Sequence, residues 1–333
     1  MKFRFEFDIK KLSPPIHHRH KLLLVGSCFT ENIAEKLRRS GFSVMENPHG
    51  ILFNPVSVVN AFDDYVQKKI YTEEDLFLLN EAWHSWHHHS RFSGLSPQDA
   101  LEKINNAISE THARLQQTDF VIITLGSAWL YRLTENAGFG KSGEVVANNH
   151  KAPSSWFERT LMKAQDLQLV LAKMVKQLQS FRPGLQIIFT ISPVRHLREG
   201  VVESNRSKAV LIQAVHDVVN EADGVHYFPA YELVLDDLRD YRFFAEDLVH
   251  PNYFATEYVW ERFTESCISE ASQKLMKELG EIALAYRHKP FNPTSQQHRQ
   301  FLQNYLEKTK DLQSQYPYLD LQREIAYFES GEK

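Results

Sequence analysis

Four short runs constrain the fold of this chain more than anything else in it: 21–26 (KLLLVG), 120–126 (FVIITLG), 186–192 (QIIFTIS) and 224–231 (GVHYFPAY). The first three are almost unbroken in apolar and β-branched residues. A strand with one wet face alternates apolar and polar side chains, whereas a strand covered on both faces does not. Such strands belong to parallel sheets enclosed between helices. Helical periodicity fills the gaps: residues 30–40 bring Ile33, Ala34 and Leu37 to one face, and 100–116 and 156–179 repeat the period at greater length. Strands alternating with helices imply βαβ crossovers. The expected fold is therefore α/β, a three-layer α/β/α sandwich on a mainly parallel sheet.

The ends of the chain read differently. Residues 1–10 (MKFRFEFDIK) alternate apolar and charged side chains, which predicts a strand rather than a secretory leader. Beyond residue 271 the sequence turns helical and highly charged, broken at 288–293 (HKPFNP). The 333 residues exceed the usual size of one domain, so the expected organisation is an α/β domain over 1–270 with a helical extension, 271–333, packed on or beside it. A net charge of −4 argues against a nucleic-acid partner, which needs a basic surface. No apolar run approaches the roughly 18 residues of a membrane span. Two cysteines, Cys28 and Cys267, make no disulfide framework, and a reducing, cytoplasmic setting is expected. The sequence leaves the oligomeric state open.

Ser27 comes directly after the first strand, and a helical pattern begins at Thr30. A serine placed there sits at the C-terminal edge of a parallel sheet, where open α/β proteins bind ligands. It also sits at a helix N-terminus, whose unpaired N–H groups and dipole stabilise negative charge. Acyl transfer needs both features, an exposed hydroxyl and donors aimed at a developing oxyanion. The plainer reading is that Ser27 caps the helix.

The residues Gly26-Ser27-Cys28-Phe29 resemble the signature of the GSCFA family, related to the SGNH (GDSL-like) hydrolases, with Thr30 where the family name has alanine. Further ordered blocks are similar to that family: 49–55 (HGILFNP), 124–131 (TLGSAWLY), 146–151 (VANNHK), 192–196 (SPVRH) and 244–251 (FAEDLVHP), with HKPFNP near the C-terminus. The resemblance implies an SGNH/flavodoxin-like sandwich and ester hydrolysis without a cofactor, in which Ser27 is the nucleophile and an Asp and a His come from the last block.

A serine hydroxyl needs a base to take its proton, and that base is usually a histidine oriented by a carboxylate. Asp-x-x-His spacing supplies both from one turn, and it occurs twice, as Asp223–His226 and as Asp247–His250. Asp223 and His226 lead into the fourth strand at its N-terminal end, the wrong edge of the sheet. Asp247 and His250 come after that strand and precede a helix opened by Pro251 and Asn252, on the same edge as Ser27. The expected triad is Ser27, His250 and Asp247.

The resemblance also implies an oxyanion site built from the serine N–H, a glycine and an asparagine. Gly50 fits the glycine. The asparagine is missing, because Gly126-Ser127-Ala128 stands where Gly-x-Asn would, and Ala128 has no side-chain donor. Asn54 and Asn148 are the expected substitutes, although either could make only local turn bonds. Arg195 and His196, after the third strand, are candidates for binding a substrate carboxylate or phosphate. Arg195 could equally neutralise a structural acid. His150 and Lys151 could line the same pocket, with Trp129 as a stacking platform for a sugar or acyl group.

Two motifs are set aside. Gly138-Phe-Gly140-Lys-Ser-Gly143 satisfies G-x-G-x-x-G, but it leads into the extended run Glu144-Val-Val-Ala rather than a helix, so it reads as a turn. The cluster 83–89 (WHSWHHH) and the stretch 17–20 (HHRH) lack interleaved ligands at metal spacing, and the latter reads as a solvated loop. No metal is expected. The expected activity is hydrolysis of a small acyl ester, such as an O-acetyl group on a carbohydrate. An O-acyltransferase at the same site, and a non-catalytic ligand-binding module that Ala128 would favour, are the alternatives.

Overall fold

The computed structural model describes residues 4–332. In chain order its elements are β1 (Lys21–Gly26), α1 (Cys28–Arg39), β2 (Ser43–Glu46), α2 (Pro55–Gln67), β3 (Phe77–Leu79), β4 (Ala82–His84), α3 (Pro97–Leu115), β5 (Phe120–Leu125), β6 (Trp129–Leu133), β7 (Val145–Val146), β8 (Phe157–Leu161), α4 (Ala164–Phe181), β9 (Gln186–Ile191), α5 (Val201–Glu221) and β10 (Val225–Phe228). A short helix α6 (Ala230–Glu232) runs into a π-helical turn, and α7 (Tyr253–Cys267), α8 (Glu270–Arg287), α9 (Gln296–Gln315) and α10 (Gln322–Ser330) complete the chain.

The central sheet has the order β10–β9–β5–β1–β2, with every pairing parallel. Its strands are apolar throughout because their side chains are divided between two cores. Leu23 and Val25 of β1, Val121, Ile123 and Leu125 of β5, and Ile187, Phe189 and Ile191 of β9 pack against α2, α4 and α5. Leu22, Leu24, Phe120, Ile122 and Ile188 pack on the opposite face against α1, α6 and α7. The result is the expected three-layer α/β/α sandwich. The chain leaves β1 toward β2 on one side and then returns to β5 on the other, so the strand order reverses between β1 and β5. Crevices at the carboxyl ends of strands open at such a switch point.

Several expectations need correction. Residues 4–10 form no strand, and Met1, Lys2 and Phe3 lie outside the described residues; the segment docks through Arg4, whose Nε lies 2.9 Å from Asp237 Oδ1, and through the Phe7 carbonyl, which accepts from Arg262 (2.8 Å). The helix expected over 156–179 begins only at Ala164, because Phe157–Leu161 pairs with β6 in a separate antiparallel sheet, β7–β6–β8. That sheet emerges from the connection between β5 and α4. The expected solvated loop at 17–20 is docked instead: His18 is buried, stacked on Phe42 at 4.0 Å, and its Nε2 lies 2.8 Å from the Ser40 carbonyl oxygen.

The C-terminal helices enclose an apolar cluster of their own, with Leu275, Leu279, Ile282, Leu312 and Phe328 at its centre. They are tied to the sandwich where the His18 N–H donates to Ser272 Oγ (3.1 Å) and the Ser269 N–H to the Ile16 carbonyl (2.9 Å). No helix among the described residues is long and apolar enough to cross a membrane.

Candidate active site

Gly26 sets the position of Ser27. It ends β1 at φ +145°, and a Cβ on it would lie 2.1 Å from the Thr124 carbonyl oxygen of β5. Only glycine lets the two strands run this close while the chain turns into α1. Ser27 then occupies the N-cap of α1, at the switch point, and its side chain makes no capping bond. The hydroxyl is 1% exposed and has no hydrogen-bond partner among the described residues. This corrects the expectation of an exposed hydroxyl; a buried hydroxyl without a partner costs stability.

Cys28, one residue on, is part-buried. Burial raises its thiol pKa, with Glu31 adding to the effect, and this outweighs the helix-start N–H groups of Phe29 and Cys28 and the field of Lys208. A thiol so shifted is a poor nucleophile near neutral pH.

Asp247 and His250 are brought together in the loop before α7. His250 Nδ1 lies 2.6 Å from Asp247 Oδ2, and Asp247 Oδ1 accepts the N–H groups of Val249 (2.9 Å) and His250 (3.0 Å). These bonds, the His250 N–H first, hold the Asp247 carboxyl down to about 2. An ionised Asp247 is acceptor-only, so His250 carries its proton on Nδ1 and leaves Nε2 as the basic nitrogen. The loop is tethered to the segment after β9 by the Arg195 N–H, which donates to the Val249 carbonyl (3.4 Å), and Leu248 within it sits at φ +58°. A non-glycine residue there is strained backbone of the kind found at functional sites. The loop is thus anchored at the strand edge that carries Ser27, but Ser27 and His250 are not hydrogen-bonded, and His250 is half exposed. The other pair lies elsewhere: His226 is on β10, in register with Ile188 of β9, and its Nε2 is 3.0 Å from Gln186 Oε1.

The expected oxyanion donors are largely engaged. The Ser27 N–H donates to the Thr124 carbonyl (3.1 Å) and the Gly50 N–H to the Asn47 carbonyl (2.7 Å). Asn54 caps α2 through Oδ1, which accepts the Ser57 N–H (2.8 Å), and its Nδ2 donates to the Val146 carbonyl (3.3 Å). Asn148 accepts the His150 N–H with Oδ1 (2.9 Å), and its Nδ2 makes no hydrogen bond among the described residues. Ala128 is buried, and its N–H donates to Ser207 Oγ (2.7 Å).

A cavity of about 260 Å³ opens beside Ser127 rather than over Ser27, walled by Phe53, Trp129, Tyr131, Asn148, His196 and Arg198. Trp129 and Tyr131 alternate along β6 and so share a face, and the Arg198 guanidinium lies over the Tyr131 ring at 5.5 Å. Three expected pocket residues, His150, Lys151 and Arg195, are placed outside it, Lys151 being exposed. His150 is buried behind the wall against His84 and Trp86, its Nε2 2.8 Å from the Ser85 carbonyl oxygen, and burial lowers it to about 4. Arg195 donates to Tyr241 Oη (3.2 Å) and lies over the Tyr241 and Phe244 rings. The histidines of 83–89 diverge: His84 faces Ser93, His87 pairs with Glu144, and His88 stacks on His49. Among the described residues no three His, Cys, Asp or Glu groups converge on a metal position.

Two residues have no part in the sequence reading of the site and enter it through the fold. Asn47 comes after the edge strand β2; its Oδ1 accepts the Gly26 N–H (2.9 Å), and its buried Nδ2 has no partner among the described residues. Lys208 on α5 is fully buried beneath the strand ends and donates to the Gly126 (2.7 Å) and Ser192 (2.6 Å) carbonyls. A lysine at the position that Leu211 and Val215 continue as an apolar face is the signal the sequence carries for it.

A family model described as the GSCFA family matches residues 21–263, and one described as the C-terminal domain of GSCFA domain proteins matches 279–333. No curated protein sequence matches the chain at a significant level. Among solved structures, a family 3 carbohydrate esterase of Clostridium thermocellum is similar at 9% identity and a TM-score of 0.34, over 78% of this chain and 98% of that one. The acetyl xylan esterase Est2A of Butyrivibrio proteoclasticus is similar at 11% and 0.36, over 80% and 65%. A carbohydrate esterase family 3 protein of Talaromyces cellulolyticus is similar at 10% and 0.35, over 79% and 99%.

Proposed function

The chain belongs to the GSCFA family, and from that premise we propose that it is a serine-dependent hydrolase of small acyl esters, with an O-acetylated carbohydrate as the favoured substrate class. The observation that carries the reading is the bonded Asp247–His250 pair, anchored at the strand edge where Ser27 holds an unpartnered hydroxyl. In the reaction Ser27 Oγ attacks the acyl carbon while His250 Nε2 takes its proton. The proton then passes to the departing sugar alkoxide, and water, deprotonated by the same nitrogen, hydrolyses the acyl-enzyme. Ser27 and His250 are not hydrogen-bonded to each other in the free chain, and catalytic hydrogen bonds often tighten only in the complex. The aromatic faces of Trp129 and Tyr131, with Asn148 and Arg198, suit a polyhydroxyl ring in the cavity.

A second reading, a ligand-binding module without turnover, is favoured by the engaged N–H groups of Ser27 and Gly50. Release of acetate from acetylated xylo-oligosaccharides and from an aryl acetate separates the two. Turnover lost in Ser27→Ala supports the hydrolase, whereas calorimetric binding of the oligosaccharide without acetate release supports the module.

A further inference from the structure

Past the cavity at Ser127 lies a second one of about 430 Å³, and the two share Tyr131, Asn149 and Arg198. At about 260 Å³ the first alone falls below the roughly 300–1,000 Å³ of ligand sites, whereas the two joined fall within it. The pairing of β6 with β8 builds the second cavity. Tyr131 stands opposite Arg159 and Leu133 opposite Phe157, and side chains directly opposite on paired strands share a face. Phe157, which lines the second cavity, meets the Tyr131 ring edge-on at 6.3 Å between centres. The aromatic wall of the first cavity therefore continues into the second, with the Arg198 guanidinium over the Tyr131 ring between them. The segment after β7 supplies a polar rim. Asn149 Oδ1 accepts the Lys151 N–H (3.3 Å) and the Asn149 carbonyl the Ala152 N–H (2.8 Å), in a turn where His150 and Lys151 sit at φ +47° and +60°. Two successive non-glycine residues in the left-handed region are costly backbone, of the kind held at functional sites. A backbone N–H bonds only the amide oxygen, so this turn leaves the Asn149 amino group as the free end, without a partner among the described residues.

We propose that the two cavities are one cleft with two subsites, and that its ligand is an oligosaccharide of two or more rings rather than a single sugar. One ring lies in the first cavity against Trp129 and Tyr131, and the next lies in the second against Tyr131 and Phe157. The Asn149 amino group and the Arg198 guanidinium, which line both cavities, donate to the hydroxyl and linking oxygens where the rings join. Aromatic faces with a few fixed donors suit such a chain, whose rings have apolar faces and whose rims are rich in acceptors. The proposal rests on the carbohydrate reading of the first cavity and is independent of the chemistry at Ser27.

The test is calorimetric binding of unacetylated sugars to the full chain, in two series, xylose to xylotriose and glucose to cellotriose, so that no turnover is needed. In at least one series the affinity should rise at least tenfold, on the order of one further subsite, from one ring to three. Ser154 is exposed and lines only the second cavity, so Ser154→Trp fills that cavity from the surface and should return the trisaccharide to the affinity of the single sugar. Tyr131→Leu, which removes the shared wall, should weaken every length that binds. Equal affinity for one and three rings overturns the two-subsite cleft. A gain that survives Ser154→Trp in a folded variant places the added rings elsewhere and overturns it too. Absence of binding in both series overturns the proposal, and leaves the hydrolase reading standing if Ser27-dependent release of acetate from an aryl acetate persists. Length-dependent binding in a chain inert toward esters supports the cleft and overturns the hydrolase reading instead.

Discussion

Asp247 grips His250 twice, through the ring, with Oδ2 2.6 Å from Nδ1, and through the backbone, with Oδ1 3.0 Å from the His250 nitrogen. One carboxylate thus fixes both the tautomer of the imidazole and the shape of the loop that carries it. Asp247→Asn keeps an acceptor for the loop but can present a donor to Nδ1, so it should leave the fold intact while aryl ester hydrolysis falls by orders of magnitude. His250→Ala should do the same, and His226→Ala should change turnover less than threefold. Comparable losses in His226→Ala and His250→Ala, both folded by circular dichroism, would remove the basis for this pair.

Ser27 and Cys28 compete for the role of nucleophile. Burial holds the thiol above its ordinary pKa, so a fluorophosphonate probe should label Ser27, and Ser27→Ala should abolish labelling. Cys28→Ala should leave it in place. The reverse pattern, read by peptide mass spectrometry, would transfer the role to the cysteine.

Asn54 and Asn148 should separate by phenotype. Asn54 caps α2 and bonds the Val146 carbonyl, so Asn54→Ala should cost about 1–2 kcal/mol of stability. Asn148 lines the cavity with an uncommitted amide. Asn148→Ala should leave the unfolding midpoint unchanged and lower kcat about a hundredfold, with little effect on KM, if that amide meets the oxyanion. Thermal melts and Michaelis profiles on the two variants decide it, and an unaltered kcat in Asn148→Ala would turn attention to Asn47 Nδ2.

The buried histidines predict acid sensitivity. His49, His88 and His150 are all lowered, in each case first by burial, His150 to about 4. The unfolded chain takes up their protons near pH 6.5, which the folded chain resists. Their contribution is therefore complete above about pH 6.5 and is lost as pH falls toward 4, with His150 alone accounting for about 3 kcal/mol. Urea midpoints at pH 7.5, 6 and 5 should decline steadily, and His150→Asn should flatten the decline. A midpoint constant over that range would contradict the burial of these rings.

The sandwich is legible in the sequence because Leu22–Val25, Val121–Leu125 and Ile187–Ile191 fill two cores at once, a demand that leaves no room for alternation. Where the demand is weaker the pattern fades. Ser43–Glu46 is an edge strand with little buried surface and carries no apolar run. Phe157–Leu161 merges with a helical period because five residues with an exposed Glu158 and Arg159 carry too little pattern to contradict it. His18 reads as polar, yet its ring finds Phe42 through tertiary packing. At the candidate site, Asp247–His250 follows from local spacing and chain order. The commitments of the Asn54 amide and of His150 depend on Val146 and Ser85, partners distant in the chain, and periodicity is blind to those.

The antiparallel sheet of β6, β7 and β8 grows out of a single strand-to-helix connection and packs Leu133 and Val146 against Phe77 and Trp86, which come from β3 and the segment after β4. Trp129, Tyr131 and Asn148, which wall the cavity, all belong to that excursion, whereas Gly26, Ser27 and the Asp247 loop belong to the sandwich. Phe53, His196 and Arg198 complete that wall from the connections of the sandwich, so the cavity lies on the seam between the two. A substitution at Trp129 or Tyr131 therefore reshapes one wall of the cavity while the packing of the central sheet stays untouched.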